Sequence, residues 1–155
     1  HHNKYKETLF HNYFEEKGKI GNCHLIKNEF ILYEPMSLFK REFSLINNEI
    51  PKKGKCIGKI DVLFRNKRKL YGGEIKWNLP RNDFWSAMKI LGYCVYFNWQ
   101  NEAWGSDDYA SPAILIPIKH IALEHKLIAN KLKISLFGIE KLKNGEYTLE
   151  NINPF

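Results

Sequence analysis

A chain of 155 residues suits one domain with a hydrophobic core of ordinary size. Hydrophobic residues make up 44% of the sequence and aromatic residues 14%, which excludes an intrinsically disordered chain. The formal net charge of +7 favours a polyanionic partner, although charge runs on folded proteins are usually solvated surface.

The first half of the chain is predicted to contain one helix and three strands. Residues 4–17 have apolar side chains at helical spacing, and Gly18 provides a stop. Strands are predicted at residues 29–33, 57–64 and 70–77. Residues 35–55 form a longer connection between the first two strands, and its sequence leaves open a short helix or an extra strand within it. Residues 65–69 form a polar turn between the second strand and the third.

A second helix is predicted at residues 82–99, with Asn82 or Asp83 as its N-cap. Gly92 and the strand-like composition of residues 93–99 leave open a different outcome, in which the helix ends early and a strand follows.

The remaining elements complete an alternation of helices and strands. They are strands at residues 112–118, 135–142 and 146–152, a helix at residues 121–133, and a hairpin turn at Asn144-Gly145. The leading His1-His2 resembles a purification-tag remnant and carries no functional argument. The order of elements predicts a single α/β domain over residues 1–155.

The three cysteines, Cys23, Cys56 and Cys94, have no spacing typical of zinc or iron–sulfur sites. They indicate free thiols in a reducing compartment. No apolar run approaches membrane-spanning length, and no signal peptide opens the chain. We therefore expect a cytoplasmic protein without a membrane partner.

One predicted strand carries charge on an unexpected face. Side chains alternate along a strand, so Glu74 and Lys76 share one face while Ile75 and Trp77 share the other. A strand that buries isoleucine and tryptophan on one side therefore presents a carboxylate and an ammonium group on the other.

The preceding strand supplies a second carboxylate on that face. Ile60 and Val62 are expected in the core on the reverse side, so Asp61 points the other way. A two-residue turn at Lys67-Arg68 pairs Asp61 with Glu74. A turn one residue earlier changes the partner but keeps Asp61 on the same face, so either hairpin collects the charged side chains.

Two neighbouring carboxylates repel each other unless a cation neutralises them. Oxygen ligands suit Mg²⁺ or Mn²⁺, and the Ile75 carbonyl would add one to Asp61 and Glu74. Such an ion polarises a phosphate and lowers the pKa of bound water. Lys76 would then stabilise developing negative charge or orient the attacking water.

The pattern of Asp61, twelve intervening residues and Glu74-Ile75-Lys76 resembles the D…E-x-K motif of the PD-(D/E)xK, or restriction-endonuclease-like, nucleases. Ile60 stands where that family has proline. The resemblance implies an α-β-β-β-α-β core with a central mixed sheet flanked by helices. It also implies a Mg²⁺-dependent DNA endonuclease in which Asp61 and Glu74 hold the metal and Lys76 assists. It spans roughly residues 4–142, and its specific matches lie in residues 58–93.

Further residues extend the resemblance. Glu7 lies in the first helix, where many members have an extra acidic metal ligand, and Glu34 is the competing candidate for that third acid. Asp83-Phe84 followed by Lys89 and Tyr93 is similar to a run found in DNA-repair-associated branches, and Lys89 would contact phosphate near the metal. A branch of Holliday-junction resolvases is the other possibility implied.

The partner predicted from charge and resemblance is DNA, either duplex or branched, with a possible homodimer and no haem or nucleotide cofactor. The basic residues expected to contact it are Lys59, Arg65, Lys67, Arg68 and Lys89. The alternative function is a non-catalytic nucleic-acid-binding module, or a subunit of a larger complex, on the same fold.

Overall fold

The computed structural model describes residues 2–34, 55–78, 85–103 and 105–153. Within these ranges the helices are α1 (His2–Lys17), α2 (Trp85–Ala103) and α3 (Leu123–Leu132), with a short 3₁₀ helix at Ile118–His120. The strands are β1 (Lys19–Ile20), β2 (Cys23–Tyr33), β3 (Cys56–Asn66), β4 (Lys69–Ile75), β5 (Ala110–Pro117), β6 (Ser135–Lys141) and β7 (Tyr147–Asn153). Residues 35–54 of the predicted connection lie outside the described residues, as do Phe84 and the predicted caps Asn82 and Asp83.

The seven strands form one mixed sheet in sequence order from β1 to β7. Strand β4 pairs with β5, and β5 with β6, in parallel, whereas the other neighbours are antiparallel. Helices α2 and α3 make the two crossovers that parallel pairing requires. The carboxyl ends of β4, β5 and β6 therefore meet at one edge of the sheet, and the predicted α/β class is confirmed.

The sheet lies between α1 on one face and the other two helices on the opposite face. Phe10 and Phe14 of α1 pack with Val62, Phe64, Ile75 and Phe137 in one buried cluster. Ile90, Cys94 and Phe97 of α2 and Ala129 of α3 pack with Leu63 and Ile114 in the other. Burial of these side chains is the main source of stability for the arrangement.

The predicted helix at residues 82–99 is continuous where it is described. Helix α2 runs through Gly92 to Ala103, so the alternative of an early helix end and a strand at residues 93–99 is wrong. Its buried side chains, among them Ile90, Cys94 and Phe97, recur at helical spacing and pack on the sheet, which outweighs the local strand propensity.

Other boundaries differ by a few residues. Strand β2 is longer than predicted and begins at Cys23, the third helix begins after a short 3₁₀ turn, and β1 was not predicted. Strand β1 contains only two residues, too few for a recognisable pattern. The closing hairpin of β6 and β7 is confirmed.

The hairpin of β3 and β4 has the register predicted from its turn. Val62 pairs with Gly73 and Asn66 with Lys69, which leaves Lys67-Arg68 as a two-residue turn. Lys67 has a φ of 59°, as turns in such hairpins require.

The position of Ile60 corrects one expectation. Ile60 packs in the cluster beside α2, whereas Val62, Ile75 and Trp77 pack in the cluster beside α1. Regular pairing would join the Ile75 N–H to the carbonyl of Ile60, but that N–H donates to Asp61 Oδ2 at 3.0 Å. The Asp61 side chain thus interrupts the ladder, and the alternation of β3 breaks at this point.

Candidate active site

Four of the predicted side chains come together on the α2 face of the sheet. Asp61 comes from β3, Glu74 from β4, Lys76 from the residue after β4, and Lys89 from the first turns of α2. Helix α2 lies close to β4 because Gly72 has no side chain: a Cβ there would lie 2.7 Å from Cys94 Sγ. The close approach brings Lys89 to Glu74.

Glu74 is the centre of this group and is only 2% exposed. Its Oε1 atom lies 2.7 Å from Lys89 Nζ and 3.7 Å from Lys76 Nζ. Its Oε2 atom is buried and has no hydrogen-bond partner among the described residues. An ionised carboxylate with one oxygen left without a partner is costly to bury, so Glu74 is a candidate cation ligand.

The environment of Glu74 disfavours its charged form. Burial, followed by the charge of Asp61, raises the pKa of Glu74 to about 7, although Lys89 and Lys76 act in the opposite direction. A carboxyl group of this kind titrates near neutral pH, which is typical of functional sites.

Asp61 is oriented by the backbone of the neighbouring strand. Its Oδ2 atom accepts the Ile75 N–H at 3.0 Å, and its charge acts on Glu74, Lys89 and Lys59. The Asp61 carboxylate therefore lies close to Glu74 on the same face, as the hairpin register predicts.

Lys89 binds Glu74 while its side chain stays 44% exposed. Burial alone would lower the pKa of Lys89, but the hydrogen bond to Glu74 and the charges of Glu74 and Asp61 raise it above its ordinary value. Lys89 is therefore a cation at neutral pH, and it partly neutralises the site.

Glu7 has a different contact from the one predicted for it. Its Oε1 atom accepts the Trp77 N–H at 3.1 Å, and His120 Nδ1 donates to the Trp77 carbonyl at 2.8 Å. Among the described residues no group of three or more His, Cys, Asp or Glu side chains is arranged to hold a metal. Glu7 as a third ligand stays a prediction, and the role of His120 was not foreseen from the sequence.

Glu34, the competing third acid, follows β2 and lies near Tyr96 of α2, away from Lys89. It is exposed directly after β2, and its charge, after burial, contributes to the raised pKa of Tyr96. Tyr96 is seven residues beyond Lys89, or about 10 Å along the helix axis. The structure therefore associates Glu34 with Tyr96.

Most of the predicted DNA-contacting residues lie away from the carboxylates or are paired. Lys59 forms an ion pair with Glu29 at 2.8 Å, and Arg65 forms one with Asp108 at 3.1 Å. Lys67-Arg68 is the turn at the other end of the hairpin, about 20 Å from Asp61 along the strand. Of the predicted set, only Lys59 and Lys89 lie near the acidic pair.

A groove of about 530 Å³ opens at the carboxyl ends of β4, β5 and β6. Its lining includes three aromatic and three basic side chains: Tyr5, Trp77, Tyr147, Lys6, Lys119 and Lys141. Ligands of open α/β sheets bind at this edge. These residues come from distant parts of the chain, and sequence reasoning did not group them.

The described residues define an α/β protein with a seven-stranded mixed sheet and a buried, unsatisfied carboxylate at a strand end. Comparison with protein-family models, curated proteins and solved structures gives no match. Across the described ranges, no helix has both the length and the apolar character needed to cross a membrane.

Proposed function

We propose that this protein is a metal-dependent endonuclease that hydrolyses phosphodiester bonds of DNA, with Asp61 and Glu74 holding Mg²⁺ or Mn²⁺. The observation that carries the proposal is the buried Glu74 carboxylate, whose Oε2 atom has no partner within the described residues, beside a second carboxylate. We further propose that the element order α1, β2, β3, β4, α2, β5 is a restriction-endonuclease-like core.

The residues present fit a divalent cation. Mg²⁺ is usually held by one or two carboxylates while water and substrate phosphate complete its ligands, so Asp61 and Glu74 suffice without a third acid. The Ile75 carbonyl is a further oxygen between Glu74 and Lys76. When bound, the ion would act as a Lewis acid on the phosphate and lower the pKa of bound water.

Lys76 is the candidate for stabilising negative charge in the transition state. Its Nζ atom is 3.7 Å from Glu74 Oε1, and its side chain is 36% exposed, so it reaches both the site and solvent. Its backbone N–H donates to the Leu115 carbonyl at 2.9 Å. The next residue, Trp77, is held by Glu7 at its N–H and by His120 at its carbonyl. A fixed backbone preorganises the ammonium group, as charge stabilisation requires.

The groove supports nucleic acid as the substrate class. Its lysines would contact phosphates, and exposed aromatic faces such as Tyr5 would stack on bases. Its lining from α1 and Trp77 lies on the α1 side of the sheet, whereas the acidic pair lies on the α2 face. A strand in the groove would therefore reach the acidic pair by passing around the carboxyl end of β4. The net charge of +7 agrees with such a partner.

A non-catalytic binding module is the second candidate, and one observation favours it. Lys89 and Lys76 already neutralise Glu74 in part, which is what a purely structural ion-pair network would show. In that case the groove would bind nucleic acid without cleavage.

A cleavage panel separates the two candidates. Supercoiled, linear, single-stranded and branched DNA would be incubated with the protein in Mg²⁺, in Mn²⁺ and in excess chelator. The proposal expects cleavage of at least one DNA form with either ion and none with chelator. DNA binding without cleavage of any form would favour the binding module.

A further inference from the structure

Helix α2 presents an apolar stripe to solvent. Trp85 is 83% exposed, Met88 50%, Val95 62% and Trp99 52%. At 100° per residue, these four positions fall within an arc of about 80° on the helix surface. They form a narrow seam at coiled-coil spacing on the side of α2 that faces away from the sheet, which we call the α2 stripe.

Gly92 lies in the middle of the α2 stripe. It is exposed, and a Cβ built there would meet nothing within 4 Å. Glycine in a helix interior weakens the helix relative to alanine, and nothing in the described monomer requires its small size. A close approach by another helix would require it.

The composition of α2 is that of a helix covered on all sides. Its only charged residues are Lys89 and Glu102, and they flank the stripe rather than interrupt it. Helices that are apolar all round are normally buried, and exposed apolar patches rich in tryptophan and methionine are typical of protein interfaces.

The α2 stripe is nearly symmetric about Gly92. Trp85 and Trp99 each lie seven residues from it, while Met88 and Val95 lie four and three residues from it. We propose that this stripe binds the same stripe of a second copy of the chain, with the two helices antiparallel and crossing at Gly92. Each Trp85 would then pack near Trp99 of the other copy, and each Met88 near Val95.

A twofold interface is self-complementary by necessity, and an approximately palindromic stripe provides that property. The two exposed tryptophans would bury roughly 250 Å² per chain, about a third of the ~800 Å² that each partner contributes to a standard interface. They would pack on either side of the crossing, about 10 Å from Gly92, and tryptophan is among the residues that carry most of the energy of an interface.

The dimer would have one functional consequence, which rests on the proposed nuclease activity. Lys89 is three residues from Gly92, or about 4.5 Å along the helix axis. Two Lys89–Glu74 pairs would therefore lie near one twofold axis, and two sites so related suit the two strands of a duplex.

The first test is the oligomeric state of the full chain, measured by light scattering and sedimentation over a range of concentrations. We expect a dimer in the wild type, a monomer for Trp99→Glu and for Met88→Glu, and a dimer for Leu127→Glu. Leu127 is a matched control because it is 55% exposed on α3. Circular dichroism establishes that each variant is folded.

The second test fixes the crossing point and does not depend on a disruptive change. In a Cys56→Ser background the remaining cysteines, Cys23 and Cys94, are buried. A Met88→Cys/Val95→Cys variant should form a disulfide-linked dimer on mild oxidation, because each Met88 would lie near Val95 of the other copy, whereas Leu127→Cys should not. The proposal would be overturned if the wild type is monomeric at all concentrations, or if the dimer persists in both glutamate variants. Either result would assign the α2 stripe to another partner or to another part of the chain. A dimer that never cross-links through positions 88 and 95 would overturn the crossing.

Discussion

Lys89 Nζ lies 2.7 Å from Glu74 Oε1, so a lysine on the surface of α2 neutralises a carboxylate that is almost fully buried in β4. The pair leaves Glu74 Oε2 without a hydrogen-bond partner among the described residues. A divalent cation at Glu74 would satisfy that oxygen and repel the ammonium group of Lys89. Lys89 would then be available to a phosphate near the site.

The raised pKa of Glu74 predicts how stability depends on pH. Between its ordinary value of 4.5 and about 7, the folded protein keeps a proton that the unfolded chain has released. The free energy of unfolding should therefore fall as pH rises through this window and level off above it. At about 1.4 kcal/mol for each pH unit, the contribution of Glu74 is about 3 kcal/mol.

The contribution of Glu74 to the free energy of unfolding can be isolated by denaturant titrations of the wild type and Glu74→Gln. The titrations would run from pH 4.5 to 8 without divalent ions. The difference in unfolding free energy between the two proteins should fall over the window and then become constant. A difference that is independent of pH would show that Glu74 titrates at its ordinary value.

Lys76→Ala should reduce the cleavage rate without loss of metal affinity. Removal of one well-placed charge donor typically costs about 10²–10³-fold in rate, and Lys76 is not a metal ligand. Single-turnover cleavage and Mn²⁺ titration of the same preparation measure the two quantities. Weakened Mn²⁺ binding in Lys76→Ala would mean that Lys76 supports the metal site itself.

Substitutions of Glu7 separate a ligand from a positioning residue. Its Oε1 atom accepts the Trp77 N–H, and the amide oxygen of glutamine can accept the same bond. We expect Glu7→Gln to keep the Mn²⁺ affinity and most of the activity, and Glu7→Ala to lose activity through displacement of Lys76. If Glu7→Gln weakens Mn²⁺ binding as strongly as Glu7→Ala does, Glu7 is the third ligand.

Salt dependence locates the DNA-contacting surface. Each lysine contact to phosphate contributes about 0.9 to the slope of the logarithm of affinity against the logarithm of salt concentration for duplex DNA. Lys119→Ala and Lys141→Ala, which alter the groove, should each lower the slope by about that amount. Lys67→Ala and Arg68→Ala, at the far turn of the hairpin, are the matched controls and should leave it unchanged. The reverse result would place the DNA at the turn.

The local pattern was sufficient to predict that Asp61 and Glu74 come together. Side chains alternate along strands, and the two-residue turn at Lys67-Arg68 fixes the register, so Asp61 and Glu74 had to share a face. The break at Ile60 was not predictable in the same way. It depends on whether the Ile75 N–H binds a backbone carbonyl or the Asp61 side chain, and no periodicity encodes that choice.

Contacts between distant elements were also beyond local reasoning. Glu7 and His120 bind the N–H and the carbonyl of Trp77 because α1 and the 3₁₀ helix after β5 converge at the carboxyl ends of the parallel strands. The rotation of α2 that aims Lys89 at Glu74 depends on the contact of Cys94 with Gly72. Such details arise from packing of the whole sheet with its helices, whereas the helix and strand patterns arise from the sequence of each segment.

The most direct test of the proposed nuclease is Mg²⁺-dependent cleavage of supercoiled plasmid by the wild type and by Asp61→Asn. Asparagine removes the anionic ligand and also lessens repulsion of the phosphodiester, so it should abolish nicking while DNA affinity stays the same or rises slightly. Loss of cleavage with retained DNA binding is the result we predict. Cleavage by Asp61→Asn at the wild-type rate would contradict the proposed role of the Asp61–Glu74 pair and place the catalytic site elsewhere.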